Sequence, residues 1–172
     1  MKDYIIPFKG LRLGEHEFDW DLDKKFFEEN ENPDILDCQL KVSLLLDKKE
    51  RMMELNFCIS GSLTVACDRC LGPLDLSVKL DENYYIKLGL ERAEESEEVL
   101  IIPESEYQID VSLLIFDYVS LSIPMKKVHK DDKHGNPTCD MEMLNRLKDF
   151  NNTETTDPRW DALKNINLEN DN

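Results

Sequence analysis

The sequence predicts an α+β fold: an antiparallel sheet, curved or barrel-like, with C-terminal helices packed at one side. Two observations predict it. From Cys38 to Leu80, apolar residues recur at every second position in successive runs, the pattern of strands with one buried face. From Leu113 onward the apolar spacing changes to three and four, the pattern of helices. A length of 172 residues suffices for one domain with its own core. Residues 1–150 are expected to form that domain, and 151–172 a linker, a short helix and a frayed tail.

Tyr4 to Phe18 alternates loosely and is interrupted by Gly10 and Gly14, which predicts a first hairpin. Leu22 to Glu29 is a short helix candidate with Phe26 and Phe27 on its apolar side. After Pro33 the period becomes two: Cys38, Leu40, Val42, Leu44 and Leu46 share one strand face. Lys48-Lys49-Glu50 reads as a turn. Leu55, Phe57, Ile59, Leu63 and Val65 follow on a second strand, where Gly61 suggests a bulge. Cys67 to Cys70 forms the next turn, and Leu74, Leu76, Val78 and Leu80 a third strand with a polar opposite face. Glu91 to Glu98 is a block of charge expected to be a loop. Val99–Pro103 and Tyr107–Val111 are strand pieces. A helix then runs through Leu113, Phe116, Tyr118 and Leu121, with Asp110 or Ser112 as its cap and Pro124 beyond its end. The polar loop from Lys126 to Thr138 leads to Asp140, which caps a helix through Met141, Met143, Leu144 and Leu147. Asp157-Pro158 opens a last helix through Trp160, Leu163 and Ile166.

Lys and Arg total 21 against 37 Asp and Glu, a formal net charge of −16. Phosphate binding draws its affinity from clustered cations that release counterions, so this balance argues against a protein that coats nucleic acid. It suits a basic partner instead. No apolar run approaches the roughly 20 residues that span a bilayer, so no membrane association is expected. The start lacks the apolar stretch of a signal peptide. Five cysteines, an odd number without an export signal, read as reduced, cytoplasmic thiols, metal ligands or core fillers, and not as a disulfide framework.

Cys67-Asp-Arg-Cys70 is the most specific chemical motif, because a Cys-x-x-Cys turn presents two sulfurs to one ion. Cys139 adds a third thiol, from a loop that also carries His129 and His134. Cys67, Cys70 and Cys139 with His129 (or His134) would complete a tetrahedral Cys3His site for structural zinc, contributing on the order of 10 kcal/mol to folding. The competing readings are plain thiols at a surface turn, or a dithiol redox pair. The redox pair is disfavoured because the motif ends a strand instead of opening a helix. Cys38 and Cys58 lie within strands and read as core or sheet residues. Arg69, Lys126 and Lys127 form the one basic group near the motif that can touch a partner or RNA. There is no phosphate-binding glycine loop, nucleophile elbow or His-Glu-x-x-His helix, so no catalytic residues are assigned and no enzyme is expected.

The strand leading into Cys67-Asp-Arg-Cys70-Leu71, with the alternating strand after it, resembles the large ribosomal RNA subunit accumulation proteins (the YceD-like family). Ile109-Asp110-Val111-Ser112 before a helix, Leu121-Ser122-Ile123-Pro124, and then His129 and Cys139 are similar to that family's later block. The closing Asp157-Pro158-Arg159-Trp160-Asp161-Ala162-Leu163 is similar to the ending of members from the Bacteroides group. The resemblance implies a non-enzymatic ribosome biogenesis factor that supports accumulation of large-subunit ribosomal RNA. With the charge, it points to a basic ribosomal protein or pre-ribosomal particle as partner, and to ribosomal RNA only through a local patch. A thiol-based redox or zinc-dependent protein using Cys67 and Cys70 is the alternative.

Overall fold

The computed structural model describes residues 4–151 except Glu31 and Pro33. The chain divides into two compact units, one up to His129 and one from Lys130 onward. In the first unit six strands form one sheet in the order β2-β3-β4-β5-β7-β6. They are β2 (Gly14–Asp23), β3 (Ile35–Lys48), β4 (Met52–Ala66), β5 (Pro73–Gly89), β6 (Ala93–Ser96) and β7 (Val99–Pro103). The period-two runs are the long central strands, whose inner positions Val42, Leu46, Leu55, Ile59 and Ile86 are fully buried. Each such side chain contributes about 1.5–3 kcal/mol on burial, so these strands specify their own register.

The sheet is open and does not close into a barrel, because β2 and β6 are its two unjoined edges. All pairs are antiparallel except β5 with β7. The acidic block expected to be a loop supplies β6, which pairs with β7 although all four of its residues are exposed. Its cross-sheet Lys87–Glu95 pair and the β7 backbone hold it, in place of a buried face. Both edges carry carboxylates: Glu15, Glu17, Asp19 and Asp21 face outward on β2, and Glu94 and Glu95 on β6. Such charge discourages edge-to-edge association with other sheets.

The first hairpin expected between Tyr4 and Phe18 does not form. β1 (Ile5–Ile6) pairs with β8 (Ile109–Asp110) as a separate two-stranded sheet, and β2 pairs with β3. A 3-10 turn at Phe8–Gly10 redirects the chain, and the Lys48 ammonium fixes it by donating to the Phe8 and Leu11 carbonyls at 2.8 and 2.7 Å. Gly61 is not a bulge either. Its register runs unbroken to Leu40 and Val78, and the irregularity of β3 with β4 lies at Ile35/Asp37.

Helix α1 (Lys24–Glu29) starts later than its apolar pattern suggests, since Leu22 belongs to β2. The Asp23 carboxylate accepts from the Lys25 N–H at 3.0 Å and ends the strand by capping the helix. Helix α2 (Ser112–Ser122) begins after Asp110, whose carboxylate accepts from the Ser112 N–H at 2.9 Å. Ile115 and Val119 are fully buried, Phe116 meets Phe27, and Tyr118 lies edge-on to Phe57 at 5.5 Å. These contacts seat α2 against Phe27 of α1 and Phe57 of β4.

In the second unit, Asp132 organises a polar loop by accepting from the His134 and Asn136 N–H groups, each at 2.8 Å. Helix α3 (Met141–Asn151) follows, its first turn capped by the Asp140 carboxylate, which accepts from the Glu142 N–H at 2.8 Å. The helix expected through Trp160, Leu163 and Ile166 lies outside the described residues. Among those described, no helix is long and apolar enough to cross a membrane.

Candidate metal centre

Strand β4 ends at Ala66, and the chain reverses through Cys67-Asp-Arg-Cys70-Leu71-Gly72 into β5. The turn closes on itself: the Cys67 N–H donates to the Gly72 carbonyl at 2.9 Å, and the Leu71 N–H to the Cys67 carbonyl at 2.8 Å. Leu71 takes a left-handed φ of 59°, which lets the chain leave the turn while both thiols stay on one side. Cys67 is fully buried and Cys70 nearly so, yet neither belongs to the main hydrophobic core. Two thiols shielded from water apart from the core form a small polar interior of their own.

The segment after α2 docks against this turn. The Asp68 N–H donates to the Lys127 carbonyl at 2.7 Å, and the Lys127 N–H donates to the Asp68 carboxylate at 2.6 Å. The Arg69 guanidinium reaches the His129 carbonyl at 3.4 Å. These bonds bring the His129 ring to the thiols, with its Nδ1 3.5 Å from the Cys70 sulfur. At its other nitrogen, Nε2–H donates to the Pro73 carbonyl at 2.9 Å. The Pro73 carbonyl makes Nε2–H the donor and turns Nδ1 toward the sulfurs, where it can offer its lone pair to an ion once it gives up its proton, the arrangement that metal-ligating histidines use.

The electrostatics favour a thiolate. Burial alone would push the Cys67 thiol up, but hydrogen bonds from the Cys70, Arg69 and His129 N–H groups and from the Cys70 thiol outweigh it and bring it down to about 6. His129 is held above its ordinary value, first by its hydrogen bond to Cys67 and then by the Pro73 carbonyl. Thiolate sulfur is the form that ligates metal.

The donor atoms of Cys67, Cys70, His129 and Cys139 all lie within 4.8 Å of one another. A tetrahedral ion with bonds of about 2.3 Å sets its donors about 3.8 Å apart, so a small contraction of this group would suit one ion. This Cys3His group can hold a metal. Cys139 is itself buried. His134 is exposed and is not part of the group. Cys38 is buried in β3, where burial pushes its thiol up to about 12, and Cys58 is exposed on β4. Of the basic residues near the motif, Lys127 pairs with Asp34 and Asp68 at 3.7 and 3.9 Å, Arg69 is spent on the His129 carbonyl, and Lys126 is exposed.

Sequence reasoning passed over Asp68 and Pro73. Asp68 reads as an ordinary turn carboxylate, and a proline carbonyl carries no side-chain signal at all. Their roles come from a segment that arrives about sixty residues later in the chain.

A family model described as "Large ribosomal RNA subunit accumulation protein YceD" matches residues 55–167, more than half of the chain. No curated protein and no solved structure gives a significant match.

Proposed function

Because the chain belongs to the YceD family of large ribosomal RNA subunit accumulation proteins, we propose that it acts in the cytoplasm as a non-enzymatic ribosome biogenesis factor. In this reading it binds a basic ribosomal protein or an assembly intermediate and holds it until it docks on large-subunit RNA. Membership of the family carries the process. The net charge of −16 supports a basic client over bare RNA, since opposite charges steer encounter and like charges oppose it. A direct RNA contact by Arg69, Lys126 and Lys127 has the weaker support, because two of these three are engaged within the protein.

Cys67, Cys70, His129 and Cys139 have, on this reading, a structural rather than catalytic part: they hold zinc. The closeness of the four donors and the His129 Nδ1 turned toward the sulfurs support it. Zinc has no redox chemistry and, with four protein ligands, keeps no open position for a substrate. The ion would fasten the β4–β5 turn to the segment after α2.

The test is deletion of the gene followed by measurement of large- and small-subunit ribosomal RNA in growing cells. A fall in mature large-subunit RNA relative to small-subunit RNA is expected, and an unchanged ratio removes the reading.

A further inference from the structure

Helix α2 leaves part of its surface without a visible purpose. It is apolar nearly all round, a composition that belongs to a helix covered on every side. Yet Leu113 is 62% and Leu121 83% exposed. Leu121 sits at the rim of a groove of about 650 Å³ between α2 and β5, whose apolar lining also includes Leu80 and Leu114.

The rest of the groove is acidic. Glu82 from β5, Glu97 and Glu98 from the β6–β7 turn, and Asp117 from α2 all line it. No ion pair among the described residues engages any of the four. Neighbouring carboxylates on the same edge are treated differently: Glu95 pairs with Lys87, Glu104 with Arg51, and Glu106 with Arg92. The groove therefore combines the exposed Leu121 and the half-buried Leu80 and Leu114 with carboxylates left uncompensated at one spot. Their fields converge there, for the Tyr118 hydroxyl is pushed up to about 12 by burial first, and then by Glu82, Glu98 and Asp117 among its neighbours.

We propose that this α2–β5 groove is a docking site for a cationic amphipathic segment of a basic protein, its leucine-like side chains on Leu114 and Leu121 and its Lys or Arg groups on Glu82, Glu98 and Asp117. Charge complementarity selects the occupant. A phosphate backbone would meet four carboxylates and no cation, and a neutral apolar segment would leave those carboxylates desolvated without partners. The site deepens the proposed function, on which it rests, by saying where the basic client binds.

The test uses the full chain and a fluorescent Lys/Leu amphipathic peptide of about three helical turns, with a Glu/Leu peptide of the same pattern as control. The Lys/Leu peptide should bind, the Glu/Leu peptide should not, and added salt should weaken binding. Glu82→Lys/Glu98→Lys/Asp117→Lys should weaken it at least about tenfold, and Leu121→Ser about tenfold through lost burial. The equally charged control Glu15→Lys/Glu17→Lys/Asp19→Lys on β2 should change it less than about twofold. Equal losses in the two triple variants would reduce the effect to overall charge and overturn the proposal, as would failure of the Lys/Leu peptide to bind. A gain of tenfold or so in Trp160→Ala/Leu163→Ala would overturn it by assigning the groove to the chain's own C-terminal segment. Ribosomal RNA levels and peptide binding are read separately, so loss of one leaves the other standing.

Discussion

Replacing Gly61 with alanine should be among the most damaging single-methyl additions to this fold. Gly61 sits mid-strand in β4 with a φ of +145°, a conformation that L side chains rarely adopt. A Cβ there would lie 2.1 Å from the Gln39 carbonyl oxygen, 3.0 Å from the Leu40 Cα and 3.1 Å from the Gln39 carbonyl carbon. All three are backbone atoms of β3, so no side chain can rotate away. Relief requires β3 to retreat by about 1 Å from a partner normally about 4.8 Å distant, dragging the buried Leu40 and Val42 with it. Backbone strain of about 1–3 kcal/mol and displacement of a packed strand at about 1–3 kcal/mol give a loss of about 2–6 kcal/mol. That is a large part of the roughly 5–15 kcal/mol typical of a folded domain. Two internal controls grade the series. A Cβ added at Gly10 would meet nothing within 4 Å, so Gly10→Ala should stay within about 0.5 kcal/mol. At Gly89 the Cβ meets only the Ile101 Cγ2 methyl at 2.6 Å, a side chain that can turn at a cost of about 1 kcal/mol. Urea unfolding followed by far-UV circular dichroism measures all three. If Gly61→Ala were no less stable than Gly10→Ala, the reasoning from backbone proximity would be refuted.

Two further outcomes follow from the thiols. The purified protein should carry close to one zinc per chain, lost on Cys67→Ser or Cys139→Ser. With free zinc about a hundredfold above its dissociation constant, binding adds about 2.7 kcal/mol, so chelation should lower Tm by about 5–10 °C. A metal-free protein that reversibly forms a Cys67–Cys70 disulfide would instead support the redox alternative. Cys38 carries a pH dependence of its own. Its folded thiol is raised from about 9 to about 12 by burial, so between those values the unfolded chain has lost a proton that the folded chain keeps. The stability from this group is complete below about pH 9 and falls as pH rises toward 12. Urea midpoints from about pH 8 to 10 should fall less steeply for Cys38→Val than for the unchanged protein, and equal slopes would contradict the assignment.

What the sequence determined by itself is local. The alternation from Cys38 to Leu80 gave β3, β4 and β5, because a strand with one buried face must place an apolar side chain at every second position. The spacing from Leu113 to Leu121 gave α2, and Cys-x-x-Cys gave the turn, since both depend on residues near one another in the chain. The tertiary structure decided what long-range pairing decides. Ile5–Ile6 alternates too briefly to name its partner and finds β8 instead of β2. The Glu91–Glu98 block has no buried face to reveal a strand, and β6 exists because the edge of β7 offers it backbone hydrogen bonds. β5 pairs with β7 in parallel, and the sheet keeps open edges at β2 and β6. At the Cys3His group the candidate ligand types were legible, but the placing of His129 beside Cys67 and Cys70 depended on Asp68, Lys127 and the Pro73 carbonyl. Chemistry is written in side chains, whereas distance between remote side chains is set by backbone groups that every residue shares, and those carry no mark in a sequence.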